Sequence, residues 1–110
     1  MNLSIRTSEN TRILDIGGDV DLRASPLLRK QLFEALKESP KVVINLTAIR
    51  YIDSSGIGEL VSGFTSVANQ GGTLKLLGLT KRVKDLLQIT KLYTVFDVHE
   101  DEAHAIRSFV

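Results

Sequence analysis

The sequence predicts a single α/β domain over residues 1–110, a mixed β-sheet opened by an N-terminal hairpin and packed with about four α-helices. Two observations carry that prediction. Short β-branched runs alternate with stretches of helical apolar spacing, in the order β β α β α β α β α. Strands separated by helices pair in parallel through right-handed crossovers, while the opening hairpin adds an antiparallel pair. Length sets a further bound: 110 residues suffice for one core that buries roughly two-thirds of the unfolded chain's surface. No linker, internal repeat or low-complexity segment divides the chain.

Leu3 and Ile5 alternate with polar residues, Ser8-Glu9-Asn10 supplies turn chemistry, and Ile13, Leu14 and Ile16 follow, which predicts the hairpin. Gly17-Gly18-Asp19-Val20-Asp21 breaks that pattern and reads as a loop. Ser25-Pro26 fits an N-cap followed by proline at the first helical position. Leu28, Leu32 and Leu36 then recur every four residues, with Leu27 and Ala35 widening the stripe, which predicts an amphipathic helix over 26–38 closed by Pro40. Val42 to Leu46 is a buried strand by composition.

After residues 53–58, Leu60, Val61, Phe64, Val67 and Ala68 keep helical spacing as far as the stop at Gly71-Gly72. Thr73 to Leu77 predicts another strand, and Val83, Leu86 and Leu87 a helix from about Lys81 to Thr90. Tyr93 to Val98 reads as a last strand, and Ala103, Ile106 and Phe109 as a last helix.

Composition narrows the function. Fourteen Lys and Arg against thirteen Asp and Glu argue against direct nucleic-acid binding, which needs a basic face. Lys81, Arg82 and Lys84 form a small basic cluster, and Asp97, Glu100, Asp101 and Glu102 an acidic one; both read as solvated surface. With no cysteine, disulfides and thiolate metal sites are excluded. The N-terminus has no secretory pattern and no apolar run reaches membrane-spanning length, so the expectation is an unprocessed cytoplasmic protein without a membrane partner.

Residues 53–58, Asp53-Ser54-Ser55-Gly56-Ile57-Gly58, stand between a strand and a helix and are the most informative segment. A helix N-terminus there offers unpaired N–H groups and a partial positive charge, suited to an anion or a phosphorylated side chain. Ser54 is either a phosphoacceptor or a helix cap, with Ser55 the more structural hydroxyl and the two glycines keeping the turn small.

Catalysis has little support. Positions two before Ser54 and Ser55 hold Ile52 and Asp53, not the glycine of a nucleophile elbow, and the two histidines, His99 and His104, come late in the chain and read as surface residues. No catalytic residue is assigned. Their spacing matches no metal site, Asp19 and Asp21 read as loop chemistry more than as magnesium ligands, and no phosphate-binding loop for a nucleotide appears. No cofactor is expected.

Taken together, the chain resembles the STAS domain family and, within it, the bacterial anti-sigma factor antagonists. Residues 53–58 resemble the family's Asp-Ser-Ser/Thr-Gly-Leu-Gly phosphorylation motif, and Gly18-Asp19-Val20-Asp21 its Gly-Glu/Asp-hydrophobic-Asp loop after the second strand. Val42 to Leu46 resembles its central strand, and Gly71-Gly72-Thr73-Leu74 its turn into the next. Ile57 replaces the usual leucine, and Asn45 stands where aspartate is frequent.

The resemblance implies partner switching. The unmodified protein would bind an anti-sigma factor that has serine kinase activity and so free a sigma factor. Phosphorylation of Ser54 would release it, and a serine phosphatase would restore it. Asp21 matches the family's acidic residue close to that serine, and Asp21, Asp53, Ser54, Ser55, Gly56, Ile57 and Gly58 make the implied partner-binding set. The alternative is an unphosphorylated STAS scaffold or accessory subunit of a signalling or transport complex. A third reading is a small serine hydrolase. Oligomeric state is not readable from the sequence.

Overall fold

The structure is a computed structural model that describes residues 1–37 and 40–109. Its elements are β1 (Asn2–Ser8), β2 (Thr11–Val20), α1 (Ser25–Leu36), β3 (Lys41–Ile52), α2 (Ser54–Asn69), β4 (Thr73–Leu77), α3 (Lys81–Ile89), β5 (Asp97–His99) and α4 (Glu102–Arg107). The sheet runs β1-β2-β3-β4-β5, with β1 antiparallel to β2 and every later pair parallel. This is the mixed sheet with an opening hairpin and four helices that the sequence predicts.

Glu9 and Asn10 take positive φ angles of 50° and 64° between the paired Ser8 and Thr11, the two-residue hairpin turn whose twist matches its strands. Gly71 and Gly72 end α2: the Gly71 N–H donates to Ala68 and the Gly72 N–H to Val67, at 3.0 and 2.8 Å, with Gly71 at φ 79°.

Side-chain alternation splits the core between two faces of the sheet. Leu14, Ile44 and Leu76 point toward α1, α2 and α3, packing on Leu28, Leu60 and Leu87. Ile13, Val43 and Leu77 point the other way, where α4 covers them with Ala105 and Ile106. Lys75 shares that second face. Its ammonium is buried, bonded to Ser108 Oγ at 2.7 Å and paired with Asp97 at 2.8 Å.

Several expectations need correction. Gly17 to Val20 is not a loop: β2 continues to Val20 because β3 supplies two register shifts, between Asp15/Gly17 and Gly18/Asp19, that keep the ladder going. Gly18 has φ 77°, a conformation that favours glycine. Ser25 is the first helical residue and not the cap. Leu27 stands half exposed and Ala68 exposed, so both helical stripes are narrower than expected. Position 38, the expected end of α1, lies outside the described residues, as does the side chain of Leu36. β3 extends six residues beyond Leu46, and Tyr93–Phe96 is a turn, with β5 confined to 97–99.

The acidic cluster is largely occupied. Asp97 pairs with Lys75, Asp101 caps α4 by accepting the His104 N–H at 2.9 Å, and Glu102 pairs with Arg6. Asn45, at the position where the resemblance favours aspartate, donates to Asp15 at 2.8 Å. An aspartate there would set two carboxylates against each other.

Candidate functional site

Because β2 to β5 run parallel, their C-terminal ends lie along one edge of the sheet. Ligand sites in open α/β sheets form outside such edges. Val20 of β2 and Ile52 of β3 are register partners, so Asp21 and Asp53 stand side by side just past the ends of the two neighbouring strands. The Asp53 N–H donates to the Val20 carbonyl at 3.3 Å.

Asp53 is the cap of α2. Its Oδ1 accepts the Ser55 and Gly56 N–H groups at 3.0 and 3.2 Å. Neither serine hydroxyl does this work, which corrects the capping alternative. Ser54 is the first residue of the helix, exposed, and its hydroxyl has no hydrogen-bond partner among the described residues. Ser55 is half-buried and held by its backbone N–H rather than by its hydroxyl.

The two glycines lie within α2 and act differently. A Cβ on Gly56 would stand 2.7 Å from Ile52 Cγ1 and 2.9 Å from the Val20 carbonyl oxygen, so glycine lets the first turn settle on the sheet edge. A Cβ on Gly58 would meet nothing within 4 Å. Gly58 is exposed, while Gly56 and Ile57 are buried. The last two shape the site from beneath.

Asp21 is half-buried and organises the approach to α1. Its Oδ1 accepts the Arg23 and Ala24 N–H groups at 3.0 and 3.3 Å, and its Oδ2 pairs with the Arg23 guanidinium at 3.0 Å. That guanidinium holds the Asp21 carboxyl below the usual carboxylate range. Asp19 is likewise engaged by Arg50 at 2.8 and 2.9 Å. Among the described residues no three acidic or histidine side chains cluster as metal ligands.

Three features were not visible in the sequence. Ser25 donates to Glu59 of α2 at 2.8 Å, and Arg29 grips the same buried carboxylate with bonds of 2.8 and 3.0 Å, which ties α1 to the helix that Ser54 begins. Arg82 folds back from α3: its Nε donates to the Ile52 carbonyl at 3.3 Å and its guanidinium stands 4.5 Å from the centre of the Tyr51 ring. It is thus not merely solvated surface, unlike the exposed Lys81 and Lys84. Leu22, next to Asp21 in the chain, is 70% exposed, and the half-exposed Leu27 lines an open recess of about 350 Å³ with Asp19, Asp21 and Arg23.

His99 and His104 are a pair, with Nδ1 atoms 3.1 Å apart, and His99 also meets Asp97 at 3.2 Å. His99 ends β5, two strands from β3, His104 lies on α4, and neither ring bonds to Ser54.

Comparison with known proteins agrees with this fold. The model of the STAS domain family matches residues 2–105. The anti-sigma-B factor antagonist of Bacillus subtilis strain 168 is 34% identical over 98 residues, covering 89% of this chain and 90% of its own. A crystal structure of an anti-sigma factor antagonist from Mycobacterium paratuberculosis superposes with a TM-score of 0.88 at 16% identity, covering 97% of this chain and 92% of that one. The Bacillus cell fate determinant SpoIIAA in its phosphorylated form gives 0.78 at 18% identity, with coverage of 99% and 100%. At these identities the two structures speak to the fold.

Proposed function

The chain belongs to the STAS domain family, and we propose that it acts as an anti-sigma factor antagonist whose binding is governed by phosphorylation of Ser54. The observation that carries the reading is the state of the Ser54 hydroxyl: exposed, at the first position of α2, with the capping duty taken by Asp53. A kinase can take that hydroxyl without dismantling any hydrogen bond of the fold.

The contact surface in this reading comprises Asp21, Asp53, Ser54, Ser55 and Gly58, flanked by Leu22. Gly56 and Ile57 belong to it through shape, since both are buried. The partner is an anti-sigma factor with serine kinase activity, in the cytoplasm, and the domain serves as a non-enzymatic binding module. In the modifying step the Ser54 oxygen forms a bond to the γ-phosphorus of ATP, the bond to the bridging oxygen of ADP breaks, and the hydroxyl proton passes to a base of the kinase. A serine phosphatase hydrolyses the ester with water and returns the hydroxyl.

Magnitudes favour control of binding over control of folding. A phosphoserine carries about −1.5 to −2 charge at neutral pH. At a helix N-terminus that charge gains roughly 0.3–1 kcal/mol, so the fold tolerates it. A misplaced charge at a tight interface costs on the order of 2–5 kcal/mol, which is roughly 30-fold to a few thousand-fold in affinity. The carboxylates of Asp21 and Asp53 add to the repulsion.

The test is to incubate the protein with its anti-sigma factor and ATP, map the phosphate by mass spectrometry, and repeat the pull-down with modified protein. One phosphate on Ser54 and loss of capture are expected. A phosphate on Ser55 would overturn the site. No modification with retained capture would instead identify a scaffold or accessory subunit.

A further inference from the structure

Arg82 sits at the second position of α3, at the sheet edge that carries the motif. Arg6, Arg23, Arg29 and Arg50 are each paired with a carboxylate. Arg82 has no carboxylate partner among the described residues. It spends one N–H on the neutral Ile52 carbonyl, at a long 3.3 Å, and rests its guanidinium on Tyr51.

Ile52 precedes Ser54 by two residues, and consecutive Cα atoms are about 3.8 Å apart, so the two Cα atoms are separated by less than about 8 Å. A guanidinium already anchored on the Ile52 carbonyl therefore starts within the combined reach of the Arg82 and phosphoserine side chains. Charge-assisted bonds to phosphate are roughly twice as strong as bonds between neutral groups, and the planar fork of Arg matches phosphate oxygens two at a time.

We propose that Arg82 is an internal receptor for the Ser54 phosphate, exchanging the Ile52 carbonyl and the Tyr51 ring for the phosphate oxygens when Ser54 is modified. The inference rests on Ser54 as the modified residue. The exchange has a consequence beyond charge. Tyr51, already 39% exposed, loses the guanidinium that covers its ring, so modification alters the shape and chemistry of the flank as well as the charge at its centre. The modified and unmodified forms then present two different surfaces.

The experiment installs phosphoserine at position 54 during translation, so that the phosphate is present whichever residue a kinase prefers. The second phosphate ionisation is followed by ³¹P NMR in otherwise wild-type protein and in Arg82→Gln and Arg82→Lys. Arg82 is expected to lower that ionisation by about 1 unit relative to Arg82→Gln, the low end for an anion beside a guanidinium. Arg82→Lys, a point charge without the fork, should fall between. The Arg82 Nε–H resonance should move on modification. An ionisation that is the same in all three proteins would overturn the assignment of Arg82. A phosphate found elsewhere on kinase-treated wild-type protein would overturn the Ser54 reading instead.

Discussion

The Asp53 carboxylate accepts the backbone N–H of Ser55 at 3.0 Å, and that bond leaves the Ser54 hydroxyl outside the capping network. Structural support thus falls on Asp53, and the proposed regulation on its neighbour Ser54. Asp53→Ala should cost about 1 kcal/mol, the usual loss for a helix cap, whereas Asp53→Asn should retain most of the stability because its amide oxygen still accepts. Chemical denaturation of the two variants reads the difference.

Ser54→Ala and Ser54→Asp should both unfold within about 0.5 kcal/mol of the wild type, since the hydroxyl is exposed and unbonded. An acidic group in the first turn of α2 is favoured by the helix dipole, so Ser54→Asp should not be the less stable of the two. Thermal melts would show it, and a large loss in Ser54→Asp would mean that the hydroxyl has a structural duty.

The two glycines of the motif should respond with opposite signs. Gly56→Ala forces a methyl against Ile52 and the Val20 backbone and should destabilise by about 1–3 kcal/mol. Gly58→Ala, which meets nothing within 4 Å, should stabilise by up to about 1 kcal/mol through helix propensity. Measuring both in urea tests whether the motif's glycines differ as the packing requires.

Glu59 links the acid stability of the domain to the site. Arg29, and then Ser25, hold its carboxyl below the usual range against the opposing push of burial. A folded pKa below the unfolded value of about 4.3 means full stabilisation above that pH, lost as pH falls through the folded pKa. The stability difference between wild type and Glu59→Gln should therefore be constant above about pH 5 and shrink below about pH 4. A difference unchanged at low pH would show that the ion pair does not carry it.

What could be read from the sequence followed local chemistry. Glu9-Asn10 announced the hairpin and Gly71-Gly72 the end of α2, since each signal is complete within a few residues, whereas Asp21 joined the proposed site only through the family resemblance. What escaped was set by distant contacts. Gly17-Gly18 resembles a loop until β3 supplies the register shifts that keep it in the sheet. Ser25 resembles a cap until Glu59, 34 residues away, takes its hydroxyl. Arg82 resembles solvated charge until Ile52 and Tyr51 draw it to the edge of β3.

The most direct measurement is calorimetric titration of the anti-sigma factor with the same protein in two states, unmodified and phosphorylated on Ser54. Phosphorylation-controlled binding requires tight capture of the unmodified form and at least roughly 30-fold weaker binding of the modified one, with both forms equally folded. Equal affinity of the two forms would contradict it.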